Sequence, residues 1–397
     1  MTGLIIIEEM RFLLVSVFLL LSGIQAHAYP DFIGYGYRSC LVCHESGGGG
    51  GALTDYGRGV FASEIAANPL RKWLNDEEAA QVSNFLGPVE FPFWLRMGFK
   101  YRALTVERSP GTKPKRQYHY NMQNDLNFNL FANEAHTLGL ITTMGYVENP
   151  IALYPNKTMK EDSYLFYREY YLKANVAKEF WLYAGMMDKV FGIKTANHTA
   201  VNRAPLSLGQ NDQVHAGLVQ WARKDEDIFL QYWLGNLHLP KEERRRGGSV
   251  MLDKKWGSMH SWGFSYLNEA KEGVKQNIYS LHNKMGFRDG NSLLMEGGYR
   301  VETTEQDGAS INSNSYYIFT QNNLNLTRGV FFVSGLELSK NTTVSSNPEN
   351  LRWDLGFLIF PIQKVEVRFS GVNQKTIGAE DATKDQWSLQ SQIHLSL

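Results

Sequence analysis

Apolar and polar side chains alternate from Phe93 to the C-terminus with the period of a β-strand. Between residues 93 and 103, one face of the first strand is apolar, whereas the other face carries Arg96, Lys100 and Arg102. A soluble sandwich buries its inner face in a second sheet, and these charged side chains are too polar for such a core. The pattern therefore favours a membrane barrel with an apolar outer face and a polar lumen.

About sixteen such segments follow one another, an even number as expected for a bacterial outer-membrane barrel. Long connections, such as 148–162 and 191–212, alternate with short ones, such as 132–134 and 327–328. We predict an all-β fold, a transmembrane antiparallel β-barrel of about 16 strands over residues 91–397. The first strand begins and the last strand ends on the short-turn side, so the preceding segment is expected at that mouth or inside the lumen.

Residues 29–90 have a different pattern and are predicted to form a small helical segment. One short amphipathic helix is expected over 53–65, and a second is expected to begin after the N-cap Asn75 and to end before Gly87. The glycine tract Gly47–Gly51 precedes both helices. It is interpreted as a flexible hinge in preference to a close approach of backbone to a cofactor.

Residues 1–28 resemble a secretory signal peptide. Arg11 precedes the apolar run 12–24, and the Ala-His-Ala pattern at 26–28 predicts cleavage after its last residue. Two glutamates just before Met10 are unusual in such a segment, so Met10 is an alternative start. No later apolar run reaches about 18 residues, and no transmembrane helix is expected.

The charge balance narrows the expected partners. The chain has 40 Lys and Arg residues and 40 Asp and Glu residues. A nucleic-acid-binding domain would carry a strong basic excess, so no nucleic-acid partner is expected. The apolar barrel face instead predicts contact with outer-membrane lipid.

Cys40, Cys43 and His44 form a CxxCH pattern and include the only two cysteines of the chain. This spacing is typical of a c-type haem attachment site, in which both thiols form thioethers and the histidine is the proximal iron ligand. A structural zinc would need four ligands, a thioredoxin-like pair would lie in a βαβ pattern, and a disulfide would leave His44 unexplained. The sequence therefore predicts one covalent haem c.

The second axial ligand of such a haem is not obvious, because residues 45–96 contain neither His nor Met. Either the iron is open on that side or the barrel supplies the ligand. His119 is the preferred candidate, since the alternation assigns it to the lumen face. The other candidates are Met97, His136 and His215, and Met97 falls in the lipid-facing set.

Two further features of the lumen have alternative interpretations. The stripe of Arg96, Lys100 and Arg102 is suited to attracting anions or haem propionates, but ordinary lumen lining paired with carboxylates is equally consistent with it. The 191–212 connection, which contains His198 and Arg203, is predicted to be a solvated outer loop in preference to an inward constriction loop.

The chain resembles outer-membrane porin-like barrels, and more narrowly bacterial barrels with a short c-type haem segment ahead of the first strand. The resemblance rests on Tyr35–His44 with Leu53–Arg58, on the strand-to-loop sequence from Tyr183-Ala184-Gly185 to Phe191-Gly192-Ile193 and His198-Thr199, and on the terminal strand from Trp387. The second stretch is similar to that of anion-type porins, and the third to a barrel insertion signal, although it ends in Leu397 and such signals commonly end in Phe. The resemblance implies an outer-membrane location.

Three functions follow from these features. The first is electron transfer at or across the outer membrane, with partner cytochromes, because one haem does not span an apolar band about 25 Å tall. The second is a porin-type channel in which the haem is a plug, sensor or structural element. The third is a peroxidase-like haem enzyme with an open iron. We favour the first, and an electron carrier or channel over an enzyme, since a covalent haem most often transfers single electrons.

Overall fold

The structure is a computed structural model that describes residues 32–69, 72–109, 116–146, 165–197, 199–306, 308–341, 349–377 and 386–396. The signal peptide predicted over 1–28 lies outside these ranges. The strands are β1 Leu95–Ser109, β2 Arg116–Phe131, β3 Leu138–Tyr146, β4 Leu165–Ala177, β5 Phe180–Met187, β6 Val214–Ala222, β7 Glu226–Trp233, β8 Arg246–Trp256, β9 His260–Lys271, β10 Val274–Gly286, β11 Ser292–Gln306, β12 Ala309–Thr327, β13 Val330–Asn341, β14 Glu349–Ile362, β15 Val365–Ile377 and β16 Gln386–Ser396.

These strands form one closed antiparallel barrel. Each strand pairs with its neighbour in sequence, and β1 closes the sheet by pairing with β16, as in Lys100 opposite Ser396 and Arg102 opposite His394. The predicted 16-strand barrel is therefore confirmed. Closure leaves no strand edge with unpaired backbone groups, which is the condition for a sheet that faces lipid.

The outer face of the barrel is apolar. Leucines such as Leu230, Leu281 and Leu389 are exposed there by 58 to 63%. Exposed aromatic side chains lie towards both rims, for example Tyr167 and Tyr232 near the long loops and Phe180 and Trp256 near the short turns. An exposed apolar band with aromatic side chains at both rims is typical of a barrel in a bilayer.

The inner face of the barrel is polar and yet buried. Asp125, Asn127, Gln220, Glu269 and Gln276 are all at most 3% exposed. In an open water-filled channel these side chains would be solvated, so their burial shows that other parts of the chain fill the lumen. Two segments do so, one from each end.

The first filling segment is the connection between β5 and β6, here named the luminal loop (residues 188–213). It folds inward and packs Phe191, Ile193 and Leu208 against inward-facing side chains of β7 to β12. The prediction of a solvated outer loop is thus wrong. The loop buries its apolar side chains inside the barrel, and the structure does not describe its His198.

The second filling segment is the N-terminal segment (residues 32–91), which occupies the short-turn end of the lumen. It contains the helices α1 (Asp55–Val60), continued by a π-helical turn over Phe61–Ile65, and α2 (Asp76–Gln81). Asn75 is the N-cap of α2 as predicted, and it forms a capping box with Glu78; the helix ends several residues before Gly87. Within the described ranges, no helix is both long and apolar enough to cross a membrane.

Apolar contacts anchor this segment to one side of the barrel. Val60 and Ile65 pack on Phe331 and Phe360 of β13 and β14, and the rings of Phe61 and Phe360 meet edge to face at 5.0 Å. Arg328, in the turn before β13, donates to the carbonyl of Ala66 at 2.7 Å. The helices are thereby held against the wall, and the turn with the two cysteines faces the middle of the lumen.

Candidate functional site

Cys40, Cys43 and His44 lie on a tight turn inside the lumen. A 3-10 turn covers Cys40–Val42, and the amide of His44 donates to the carbonyl of Cys40 at 2.8 Å. An antiparallel bridge between His44 and Leu53 closes the loop that follows. Both thiols are free. All three side chains line one cavity of about 330 Å³.

The imidazole of His44 is in the form that binds a metal. Burial, together with the positive charges of Lys100 and Lys194, lowers the pKa of His44 to about 3. The Nδ1 atom of His44 is buried without a hydrogen-bond partner. A buried ring nitrogen without a hydrogen-bond partner costs free energy unless a ligand such as a metal ion binds it.

The two thiols are protonated at neutral pH. Burial raises the pKa of Cys43 to about 11 and also raises the pKa of Cys40. A reactive thiolate needs a lowered pKa and a positive neighbourhood, so this environment argues against a redox-active dithiol. It leaves two neutral thiols beside a neutral imidazole.

The glycine tract is a packed turn and not the hinge that the sequence suggested. Gly49, Gly50 and Gly51 all have positive φ angles, between 66° and 81°. A Cβ atom on Gly49 would lie 3.2 Å from Sγ of Cys40. Only glycine adopts three such conformations without strain while leaving room beside the thiol. The tract therefore forms a side-chain-free wall next to the cysteines.

Charged side chains of the barrel hold this turn in place. Glu45, which follows His44, forms a fully buried ion pair with Lys173 of β4. Lys100 of β1 donates to the carbonyl of Gly51. A buried ion pair stabilises only when its geometry is satisfied, and removing one partner leaves a costly charge. The turn is thus fixed to two strands on its polar side.

The luminal loop meets the N-terminal segment at the glycine tract. Lys194 donates to the carbonyl of Gly49 at 2.8 Å and forms an ion pair with Asp188. Burial alone would raise the pKa of Asp188, but Lys194 and Arg203 hold it at about 2. The two fillings of the lumen therefore share one charged contact beside the cavity.

The structure does not bring His119 to this site. A bulge at Met122 shifts the register between β1 and β2, so that His119 pairs with Thr105. Thr105 lies on the same face of β1 as Ala103, opposite to the buried Arg102, and His119 is exposed. The prediction of a lumen-facing His119 as distal ligand is therefore wrong, because one extra residue reverses the alternation.

The other predicted ligands are also accounted for. His136 stacks on Phe131 in the turn after β2, and His215 bonds Tyr170 near the long-loop end. Neither histidine lines the cavity, whereas Met97 does, although the register places Met97 on the outer face of β1.

Of the three predicted luminal cations, Arg96 pairs with Asp55 of α1 and is thereby engaged with the N-terminal segment. Lys100 and Arg102 line the cavity, and Arg102 donates to the carbonyl of Ala196 in the luminal loop at 3.2 Å. Asp125 of β2, which pairs with Lys100 across the two strands, forms an ion pair with Arg168. The stripe thus binds the two filling segments.

Sequence reasoning missed two side chains of the cavity wall, His394 of β16 and Met251 of β8. Both are buried on the lumen face. His394 was predictable from the alternation, because its neighbours Ile393 and Leu395 are assigned to the outer face and His394 therefore faces the lumen. Met251 lies between Val250 and Leu252, so apolar and polar residues do not alternate there and the pattern does not predict which face Met251 occupies.

Comparison with solved structures identifies the fold. A loop-deletion variant of OmpT, an outer membrane protein of Vibrio cholerae, is 9% identical over 76% of this chain and 99% of its own, with a TM-score of 0.57. The outer membrane channel DcaP of Acinetobacter baumannii is 9% identical over 76% of this chain and 97% of its own, with a TM-score of 0.57. An anion-selective porin from Comamonas acidovorans is 9% identical over 76% of this chain and 99% of its own, with a TM-score of 0.51.

No protein-family model matches the sequence, and a search of curated proteins finds no relative. Identities near a tenth establish architecture and leave chemistry open. The chain accordingly has the fold of porin-like outer-membrane barrels with 16 strands.

Proposed function

We propose that this protein is an outer-membrane haem c protein that transfers electrons at or across the outer membrane, with its single haem attached inside the barrel at the short-turn end. The observation that carries the proposal is the placement of Cys40, Cys43 and His44 together on one cavity, with Nδ1 of His44 buried and unpaired. The apolar outer face and the porin-like fold support the location.

The residues at the cavity fit a covalent haem. Each neutral thiol would add across a vinyl group, with its hydrogen passing to the vinyl carbon, so that attachment needs no oxidant. His44 would supply a neutral imidazole to the iron. The side-chain-free wall of Gly49 to Gly51 leaves space beside Cys40, and Lys100 and Arg102 are suited to pairing with propionates. When bound, the haem supplies one-electron chemistry.

The filled lumen favours electrons over solutes as the transported species. The N-terminal segment occupies the short-turn end, and the luminal loop buries an apolar cluster across the interior. In outer-membrane barrels the short turns face the periplasm, so the cavity would be reached from that side. One haem does not bridge an apolar band about 25 Å tall, so transfer across the membrane requires partner cytochromes.

The test is haem attachment in the full chain exported by a host with a c-type haem maturation system. The purified protein is expected to carry one haem that stays with the polypeptide on denaturation and to accept an electron from a soluble reductant. The Cys40→Ser/Cys43→Ser variant is the control, and it should fold as a barrel without haem. Wild-type protein that folds without covalent haem in this host would overturn the proposal.

A second candidate function is a porin-type channel in which the haem is a plug, sensor or structural element. It is favoured by the similar structures, two of which are described as a channel and as an anion-selective porin. A channel predicts ion conductance in planar bilayers that survives the Cys40→Ser/Cys43→Ser substitution. A barrel closed by its two filling segments predicts no steady conductance in the wild-type chain.

A further inference from the structure

We infer that His394 is the distal ligand of the haem, which makes the iron a bis-histidine centre with His44 on the other side. The inference rests on the proposed function, since it assigns a second ligand to the proposed haem.

His394 has the hydrogen bonding of a preoriented metal ligand. It lies on the lumen face of β16, and the residue is 8% exposed. Its Nδ1 lies 3.0 Å from Oε2 of Glu366 on β15, whereas its Nε2 is buried without a hydrogen-bond partner. A carboxylate that accepts from Nδ1 fixes the proton there and leaves Nε2 with a free lone pair, as in most histidine ligands of metals.

The neighbouring cation does not reverse this assignment. The Nη2 atom of Arg102 lies 3.5 Å from the same Nδ1, at the limit of hydrogen bonding. The contact with Glu366 is shorter and needs a proton on Nδ1, so it sets the tautomer.

A short chain of contacts connects His394 to His44. Both histidines line the same cavity. His394 pairs with Arg102, two positions along β1 from Lys100, and Lys100 bonds the carbonyl of Gly51. Gly51 ends the glycine tract that follows His44. Lys100 thus connects the neighbourhood of His394 to the turn that carries His44.

The competing ligand is Met251, whose side chain is 7% exposed and also lines the cavity. A thioether has no proton to be fixed and no partner that would orient it. His394 has a carboxylate that orients its ring and a buried nitrogen, Nε2, without a hydrogen-bond partner. A buried polar atom without a partner is costly, so Nε2 needs a partner such as a metal ion. The structure thus favours imidazole over thioether.

The first test uses wild-type holoprotein in detergent and near-infrared magnetic circular dichroism of the ferric haem. This spectrum separates imidazole–imidazole, imidazole–thioether and open coordination without any substitution. We expect low-spin iron with the imidazole–imidazole signature. A thioether signature or a high-spin wild-type haem would overturn the inference.

The second test compares variants of the two candidate side chains. His394→Ala is expected to convert the ferric haem to high spin, and added imidazole is expected to restore low spin. His394→Met should keep low spin with a higher reduction potential, because a methionine ligand raises it. Met251→Leu removes the competing ligand and should keep low spin; loss of low spin in this variant, or its persistence in His394→Ala, would contradict the inference.

Different results would overturn the proposed function and the assignment of His394 as ligand. Wild-type protein without covalent haem would overturn both the proposed function and the ligand assignment. A covalent haem whose spin state does not change on substitution of His394 would overturn only the ligand assignment. Heat-modifiable migration in gels shows in each variant whether the barrel has folded.

Discussion

Two segments fill the same lumen by different means. The luminal loop buries an apolar cluster that includes Phe191, Ile193 and Leu208, each at most 3% exposed, and a buried ion pair of Lys189 with Glu269 also ties the loop to the wall. The N-terminal segment has an apolar anchor on β13 and β14, but its turn with Cys40 to His44 is held by the buried pair of Glu45 and Lys173 and by lysine-to-carbonyl bonds. The luminal loop buries an apolar cluster in the interior and lines one side of the cavity, whereas the N-terminal segment carries the two cysteines and the histidine.

This difference suggests a structural role for the apolar cluster of the luminal loop and a chemical role for the turn with Cys40 to His44. A dry apolar cluster offers nothing that binds a charged or redox-active group. The cavity at the polar turn is lined by an imidazole with an unpaired nitrogen, by two thiols and by several cations. Disturbing the luminal loop should therefore change conductance, and disturbing the turn should change the haem.

The largest effect is expected for Lys173→Met. The substitution leaves Glu45 buried without its partner, which typically costs about 3–5 kcal/mol. The turn should leave the lumen, so that protease cleaves the N-terminal segment of the folded barrel. The double variant Lys173→Met/Glu45→Gln is the control, and it should recover most of the protection. Equal cleavage in wild type and Lys173→Met would contradict this role of the pair.

A somewhat smaller effect is expected for Leu208→Ala in the luminal loop. Truncating a leucine that is 2% exposed costs about 2–5 kcal/mol through the lost burial and the cavity that remains. Planar-bilayer recordings should then show intermittent openings while the haem spectrum stays unchanged. A changed haem spectrum with no openings would mean that the two fillings do not have separate roles.

The contact between the two segments should be sensitive to acid. The pKa of Asp188 is held at about 2, below its ordinary value, so its charge stabilises the contact above the unfolded pKa near 4. Because the folded pKa is the lower one, this stability is lost as the pH falls from about 4 to about 2. Protease cleavage of the luminal loop should rise in that window, and Lys194→Met should move the rise to higher pH.

The smallest effect is expected for Arg96→Gln. Arg96 pairs with Asp55 of α1, whose carboxylate is 46% exposed. Solvent screens such a pair, and its loss should change the free energy of unfolding by less than about 1 kcal/mol. Urea titration of the variant and of wild type measures this difference. A loss comparable to that of Lys173→Met would mean that the anchor of α1, and not the buried pair, fixes the segment.

The sequence predicts the barrel well because alternation is a local property. All sixteen strands could be placed from the period of apolar and polar residues, and the capping box at Asn75 is equally local. The same rule failed at His119, where the bulge at Met122 reverses the faces. A bulge is set by pairing with the neighbouring strand, which no single segment reveals.

The candidate site was predictable only in its core. The spacing of Cys40, Cys43 and His44 is visible along the chain, but Glu45 meets Lys173 across 128 residues. The inward fold of the luminal loop had a signal in its apolar residues Phe191, Ile193, Leu206 and Leu208, which a solvated loop would not need. Which lumen side chains converge depends on barrel closure, so His394 became visible only in three dimensions.

Oxidation from one side of the membrane at a time locates the proposed covalent haem at the short-turn end of the lumen. Wild-type holoprotein is oriented in proteoliposomes, its haem is reduced, and a protein-sized oxidant too large for the lumen is offered on one side at a time while haem absorbance is followed. We expect rapid oxidation from the short-turn side and much slower oxidation from the long-loop side, where the luminal loop intervenes. Equal rates from both sides, or faster oxidation from the long-loop side, would contradict this placement of the haem.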